Sequence, residues 1–173
     1  MYERIVIAAA VKAALIGHAG SMPGRETGGI LIGNCLDPAT VQITRASPPG
    51  PRAKHGPFSF SRDTKFLQRY LDNLHDRSAG KNDYVGEWHV HRAIGSSPSR
   101  TDRRSMWRIA RRSNYATDNP VLIIVEHTLL QRAIRAYGFE VKPKRIQREL
   151  EVVLPAGAST LKPEDVRGQT HPR

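Results

Sequence analysis

Residues 84–102 read YVGEWHVHRAIGSSPSRTD. Tyr84 to His91 reads as a strand. Side chains alternate along a strand, so His89 and His91 point to one side, while Trp88 and Val90 point to the other, into a core. Gly86, Gly95 and a Ser-Ser-Pro turn then bring the chain round. After Pro98 the pattern predicts a helix from Ser99 to about Arg112. Asp102 falls one turn into that helix, facing back toward the strand end. Two imidazoles and one carboxylate make three protein ligands. The fourth position of a tetrahedral zinc is left for water, which is the pattern of a catalytic site and not a structural one. Zinc lowers the pKa of such a water toward ~7.

Plainer readings compete with this one. Ser99-x-x-Asp102 is close to a helix capping box, in which the acidic residue reaches back to the capping position. His89 and His91 also fit ordinary, partly buried histidines. The joint spacing (His-x-His, seven residues, Ser, two residues, Asp) tips the balance toward a metal site.

Upstream, ETGGILIG at 26–33 predicts a buried strand through Ile30, Leu31 and Ile32, entered over Gly28 and Gly29. Glu26 sits at its mouth, beside glycines that allow close approach. A metal-activated water needs a proton acceptor, and a leaving amine needs a donor. Glu26 is the candidate for both, against the plain reading of a solvated loop glutamate. Glu87 is the weaker candidate. It shares parity with the two histidines and fits a partner that holds a ligand from behind. Ser99 can offer its hydroxyl to a developing oxyanion.

The remaining elements follow from periodicity and punctuation. Residues 4–8 predict a short strand, and 8–18 a helix closed by Gly20, Pro23 and Gly24. Cys35, just past the glutamate strand, is expected to be a small buried thiol. Residues 41–46 alternate as a half-exposed strand. PPGPRAKHGP (48–57) is expected to be an irregular loop, carrying Arg52, Lys54 and His55. A short strand then resumes at Phe58–Phe60. A helix follows from Thr64 to about His75, capped by Ser61 or Asp63, with Phe66, Tyr70 and Leu74 on one face. VLIIVEH (121–127) predicts a central strand, and 133–141 and 148–154 two more. This order predicts an α/β fold bordering on α+β: one domain over 1–154, with a mixed curved sheet flanked by helices. Residues 155–173 are polar and poor in aromatics, and read as a disordered tail.

Composition narrows the function classes. A chain of 173 residues suits one domain. A single cysteine excludes an internal disulfide and any multi-cysteine zinc knuckle, and points to the reducing cytoplasm. No apolar run reaches ~18 residues, so no membrane span is expected. The apolar N-terminal stretch lacks a basic leader, which argues against a secretory signal. The net charge of +11, from 27 Lys+Arg against 16 Asp+Glu, favours acidic partners. Arg100, Arg104, Arg108 and Arg111 form a stripe on the predicted helix. No helix-turn-helix, zinc finger or aromatic RNA-binding signature accompanies it, so nucleic acid is an alternative partner and not the favoured one.

The glutamate strand ETGGILIG and the run GEWHVHRAIGSSPSRTD at 86–102 resemble the JAMM (JAB/MPN-type) metalloproteases. The resemblance covers residues 1 to about 140 in element order. It implies a single JAB/MPN-like domain and one catalytic zinc on His89, His91 and Asp102. It further implies Glu26 as general acid/base and Ser99 as the oxyanion donor. One departure stands out: Arg92 follows the second histidine, where the family has proline. That bears on substrate preference more than on metal binding.

The flanking sequence is most similar to small stand-alone bacterial members, some of which sit in antiphage CBASS operons. There the resemblance implies a deubiquitinase-like isopeptidase. It would cut an amide or isopeptide bond after an extended C-terminal tail, such as that of a conjugated nucleotidyltransferase. Such a tail is expected to add beside the ligand strand. The alternatives are processing of a sulfur-carrier ubiquitin-like protein, a basic RadC-like module associated with nucleic acid, and a catalytically silent scaffold.

Overall fold

The computed structural model describes residues 1–155 apart from 58, 92–96, 113–114, 116, 128–131 and 142–144. Arg92, Gly95, Phe58 and the tail beyond residue 155 therefore lie outside the described residues.

The β-branched runs assemble into one sheet that closes on itself. β1 (Arg4–Ile7) lies between β3 (Thr40–Ala46) and β9 (Ile146–Val153), parallel to both. β2 (Gly28–Asp37) runs antiparallel to β3 on one side and to β6 (Asp83–His91) on the other. β7 (Val121–His127) is parallel to β6. β8 (Arg132–Glu140) then returns antiparallel to β7 and pairs with β9. Parallel neighbours need a crossover, and α3 (Arg100–Ile109) supplies it between β6 and β7. The strand carrying the histidines is thus central, and its C-terminal end meets the start of the next helix.

Helices cover both faces of the sheet. Val11, Leu15 and Ala19, at four-residue steps along α1 (Ala9–Gly20), pack with Ile5, Ile7, Leu31, Trp88, Val90 and Ile123. On the other face, Leu67 of α2 (Thr64–Arg77) and Met106 and Ile109 of α3 pack with Ile32, Leu122, Ile124 and Phe139. This double cover is why Val121 to Val125 is apolar without alternation. Each such side chain, fully buried, contributes about 1.5–3 kcal/mol. No helix among the described residues is long and apolar enough to cross a membrane.

The expected single α/β domain with a mixed, curved sheet is what forms. Three local expectations need correction. Cys35 is exposed, because β2 runs on through it to Asp37 and leaves the covered part of the sheet; its thiol donates to the Asp37 carbonyl at 3.0 Å. The 48–57 segment is not wholly irregular: β4 (Lys54–His55) pairs with β5 (Phe60–Ser61) in a small hairpin. α3 stops at Ile109, so Arg111 lies beyond the helix, although Arg100, Arg104, Arg108 and Arg111 are all exposed. Of the two cap candidates for α2, Asp63 takes the role. One carboxylate oxygen accepts from the Phe66 N–H and the other from the Arg52 N–H, each at 3.1 Å, which ties the preceding loop to the helix.

Candidate metal centre

The end of β6 and the first turn of α3 build the centre. Strand alternation turns His89 and His91 to one face and sends Trp88 into the core, where its indole N–H donates to the Ser47 carbonyl at 3.0 Å. Ser99 caps α3. Its hydroxyl oxygen accepts from the Asp102 N–H at 3.1 Å, and the Asp102 carboxylate accepts from the Ser99 N–H at 2.8 Å. The capping box is therefore real, and it aims Asp102. One Asp102 oxygen lies 3.0 Å from His89 Nδ1 and the other 3.2 Å from His91 Nε2. Asp102 belongs both to the cap and to the candidate ligand set, so the two readings are not exclusive. A hydroxyl that accepts from an N–H keeps its own proton to donate, which leaves Ser99 free to act on a ligand.

His89, His91 and Asp102 offer one ligand atom each within 4.8 Å of one another. Tetrahedral zinc with bonds of about 2.0–2.1 Å has ligand atoms roughly 3.3 Å apart, and each histidine lies at about that spacing from one of the two Asp102 oxygens. A second observation fits a metal. Glu87 is fully buried on the same face, and its Oε2, with no hydrogen-bond partner among the described residues, lies 3.5 Å from His89 Nε2. A carboxylate behind a ligating imidazole is the usual support of such a site. The donor set therefore fits a metal ion.

Glu26 comes from the other side. It lines one cleft of about 940 Å³ together with His89, His91, Ser99 and Asp102. The β4–β5 hairpin holds its backbone: the Glu26 N–H donates to the Gly56 carbonyl at 2.8 Å, and His55 Nδ1 lies 3.2 Å from the Glu26 carbonyl. Phe60 of the same hairpin stacks near His55 and meets the His89 ring edge-on at 6.3 Å between centroids. That this hairpin lines the site was not legible in the sequence, since its contacts with Glu26 join residues some thirty positions apart. Another lining residue missed from sequence is Thr27, fully buried with its hydroxyl unpartnered among the described residues.

The electrostatics are those of opposed charges out of water. Burial raises the Glu26 carboxyl above its ordinary value; His91 and His89 pull it down and Asp102 pushes it further up. Burial by itself would lower His89, but Asp102 and Glu87 outweigh it and push the imidazole up to about 9. Burial would likewise raise Asp102, yet His89, His91 and Ser99 hold it well below the usual carboxylate range. Arg62 pairs with Glu87 on the far side, and the Tyr84 hydroxyl donates to the same Glu87 oxygen at 3.4 Å.

One expectation fails here. β6 is paired with β2 through Gly28 and His89, and with β7 through His91 and Glu126. As far as His89 the ligand strand is paired on both sides, so a tail cannot add beside it there.

The model of prokaryotic homologs of the JAB domain matches residues 8–137. The chain belongs to this family. Among its relatives, the probable metalloprotease y4qB of Sinorhizobium fredii is 34% identical over 127 residues, covering 72% of this chain and 77% of that protein. A CD-NTase/cGAS isopeptidase of Enterobacter hormaechei is 40% identical over 101 residues, covering 58% of this chain and 54% of that protein. One of Vibrio cholerae is 32% identical over 100 residues, covering 58% and 60%. The match thus spans only about half to three fifths of the two isopeptidases. The fold of this JAB chain is similar to the solution structure of protein DSY2949 from Desulfitobacterium hafniense, with a TM-score of 0.65 at 18% identity, covering 87% of this chain and 92% of that one. Family and relatives make the JAB chain a metalloprotease-like hydrolase. The family implies a metal ion, and the His89–His91–Asp102 group can bind one.

Proposed function

We propose that the protein is a zinc-dependent isopeptidase that hydrolyses an amide or isopeptide bond following the C-terminal tail of a ubiquitin-like or ubiquitin-like-conjugated protein in the cytoplasm. The observation that carries the reading is the convergence of Glu26, Ser99, His89, His91 and Asp102 on one cleft from separate elements. In this reading His89, His91 and Asp102 hold the ion. Zinc supplies Lewis acidity and brings a water's pKa toward ~7. Glu26, raised by burial, takes a proton from the attacking water and returns it to the leaving amine. Ser99 donates its free O–H to the carbonyl oxygen as negative charge gathers there.

The two isopeptidase relatives support a protein substrate of the CBASS kind, in which a conjugated nucleotidyltransferase is released. The exposed arginines of α3 favour an acidic surface on that substrate. The test is cleavage of ubiquitin-like fusions, with wild-type protein and with zinc removed and restored. Zinc-dependent cleavage at the tail junction is expected. A zinc-loaded protein that cuts no tail, from conjugated nucleotidyltransferase to sulfur carrier, would sink the proposal.

A further inference from the structure

Glu87 sits in an environment that a carboxylate seldom occupies without a task. It is fully buried at the middle of β6, two residues before His89 and on the same face. Its two oxygens have different surroundings. Oε1 faces the Arg62 guanidinium and the Tyr84 hydroxyl. Oε2 has no hydrogen-bond partner among the described residues, and the Nε2 edge of His89 lies 3.5 Å from it. The opposite edge of that ring, Nδ1, is the one turned to Asp102 at 3.0 Å. A plain structural ion pair with Arg62 would explain Oε1. It would not explain a second buried oxygen set against a ring nitrogen of His89.

We infer that Glu87 is a positioning residue: its carboxylate accepts a hydrogen bond from the Nε2–H of His89, keeps the proton on that nitrogen, and leaves Nδ1 as the metal-binding atom, while Arg62 clamps the carboxylate in place. The inference rests on the zinc reading given above and deepens it. His91 turns its Nε2 to Asp102, so the centre uses unlike nitrogens from its two histidines. Arg62 gives the arrangement direction. By occupying one carboxylate oxygen it leaves the other as the acceptor. It also lines the wall of the metal cleft, with its side chain 27% exposed, within reach of whatever the cleft holds.

Two measurements test this. Nitrogen-detected NMR of zinc-loaded wild-type protein should show His89 protonated at Nε2 and metal-bound at Nδ1, with His91 the reverse. This needs no variant. Competition with a chromogenic chelator should then show zinc held about 10- to 100-fold more weakly by E87Q, a near-isosteric change, than by wild type. Wild-type protein that takes up no zinc would overturn the zinc reading itself. Wild-type protein that binds zinc through Nε2 of His89, or an E87Q protein that holds it as tightly, overturns the role of Glu87 and leaves the zinc reading standing.

Discussion

Gly28 and His89 are register partners across β2 and β6, so close that a β-carbon on Gly28 would come within 2.8 Å of His89 Cδ2. The glycine before the apolar run is therefore a condition for the histidine's position. Gly28→Ala should force back the Trp88 backbone carbonyl, which lies nearer still to the new carbon, and push the ring aside. Zinc affinity is expected to fall at least tenfold, with a stability loss of about 1–3 kcal/mol from overpacking. Chelator competition and denaturant unfolding of the same sample read both. Unchanged affinity would mean the ring has room that the register denies it.

In the proposed mechanism Ser99 carries two jobs, capping α3 and donating to the oxyanion, and substitution can separate them. Removing its cap costs about 0.5–2 kcal/mol of stability. Losing an oxyanion donor costs about 10²–10³ in kcat. Ser99→Ala should show both, and Ser99→Asp, which still caps, should recover the stability without the rate. Full activity in the capped variant would confine Ser99 to the helix terminus.

Glu26→Gln should leave zinc content and fold intact and abolish turnover. The wild-type pH profile should carry the same residue's signature. A general base works deprotonated, and burial raises the Glu26 carboxyl above its ordinary value of 4.5. Activity should therefore be lost, as pH falls, at a higher pH than an exposed glutamate would give. A kcat/KM limb at or below 4.5 would assign the base elsewhere.

Arg62→Met leaves the Glu87 charge buried without its cation. Breaking one half of a buried pair costs about 3–5 kcal/mol. Glu87 has a folded-state pKa lowered from 4.5, so in wild type its contribution is present above that value and lost as pH falls through the lowered one. In Arg62→Met only His89 is left to hold the carboxylate down against the burial that raises it. The acid loss of stability in that window should then flatten or reverse. Urea midpoints from neutral pH down to about pH 3 decide it.

Much of this centre was legible because its decisive parts are local. The His-x-His alternation, the Ser99 cap and the Asp102 turn all lie within one strand, one turn and one helix, and periodicity speaks at that range. Glu26 was legible because the glycines beside it mark a close approach. What could not be read depends on pairings across the chain. The β4–β5 hairpin grips Glu26 through residues some thirty positions away. Arg62 meets Glu87 across twenty-five. Exposure of Cys35 follows from how far β2 outruns its cover, a length that apolar pattern does not fix. The strand-addition expectation failed for the same reason: occupancy of both edges of β6 is a property of the assembled sheet.

The return of β9 to β1 has a consequence for life at high concentration. An open sheet ends in strands with bare N–H and C=O rows, which recruit other chains unless charge, proline or a bulge guards them. Here the first and last strands guard each other. Ile5 and Ile7 of β1 can be fully apolar without inviting stacking into fibres. The molecule can spend its surface charge on recognition instead of on keeping its copies apart.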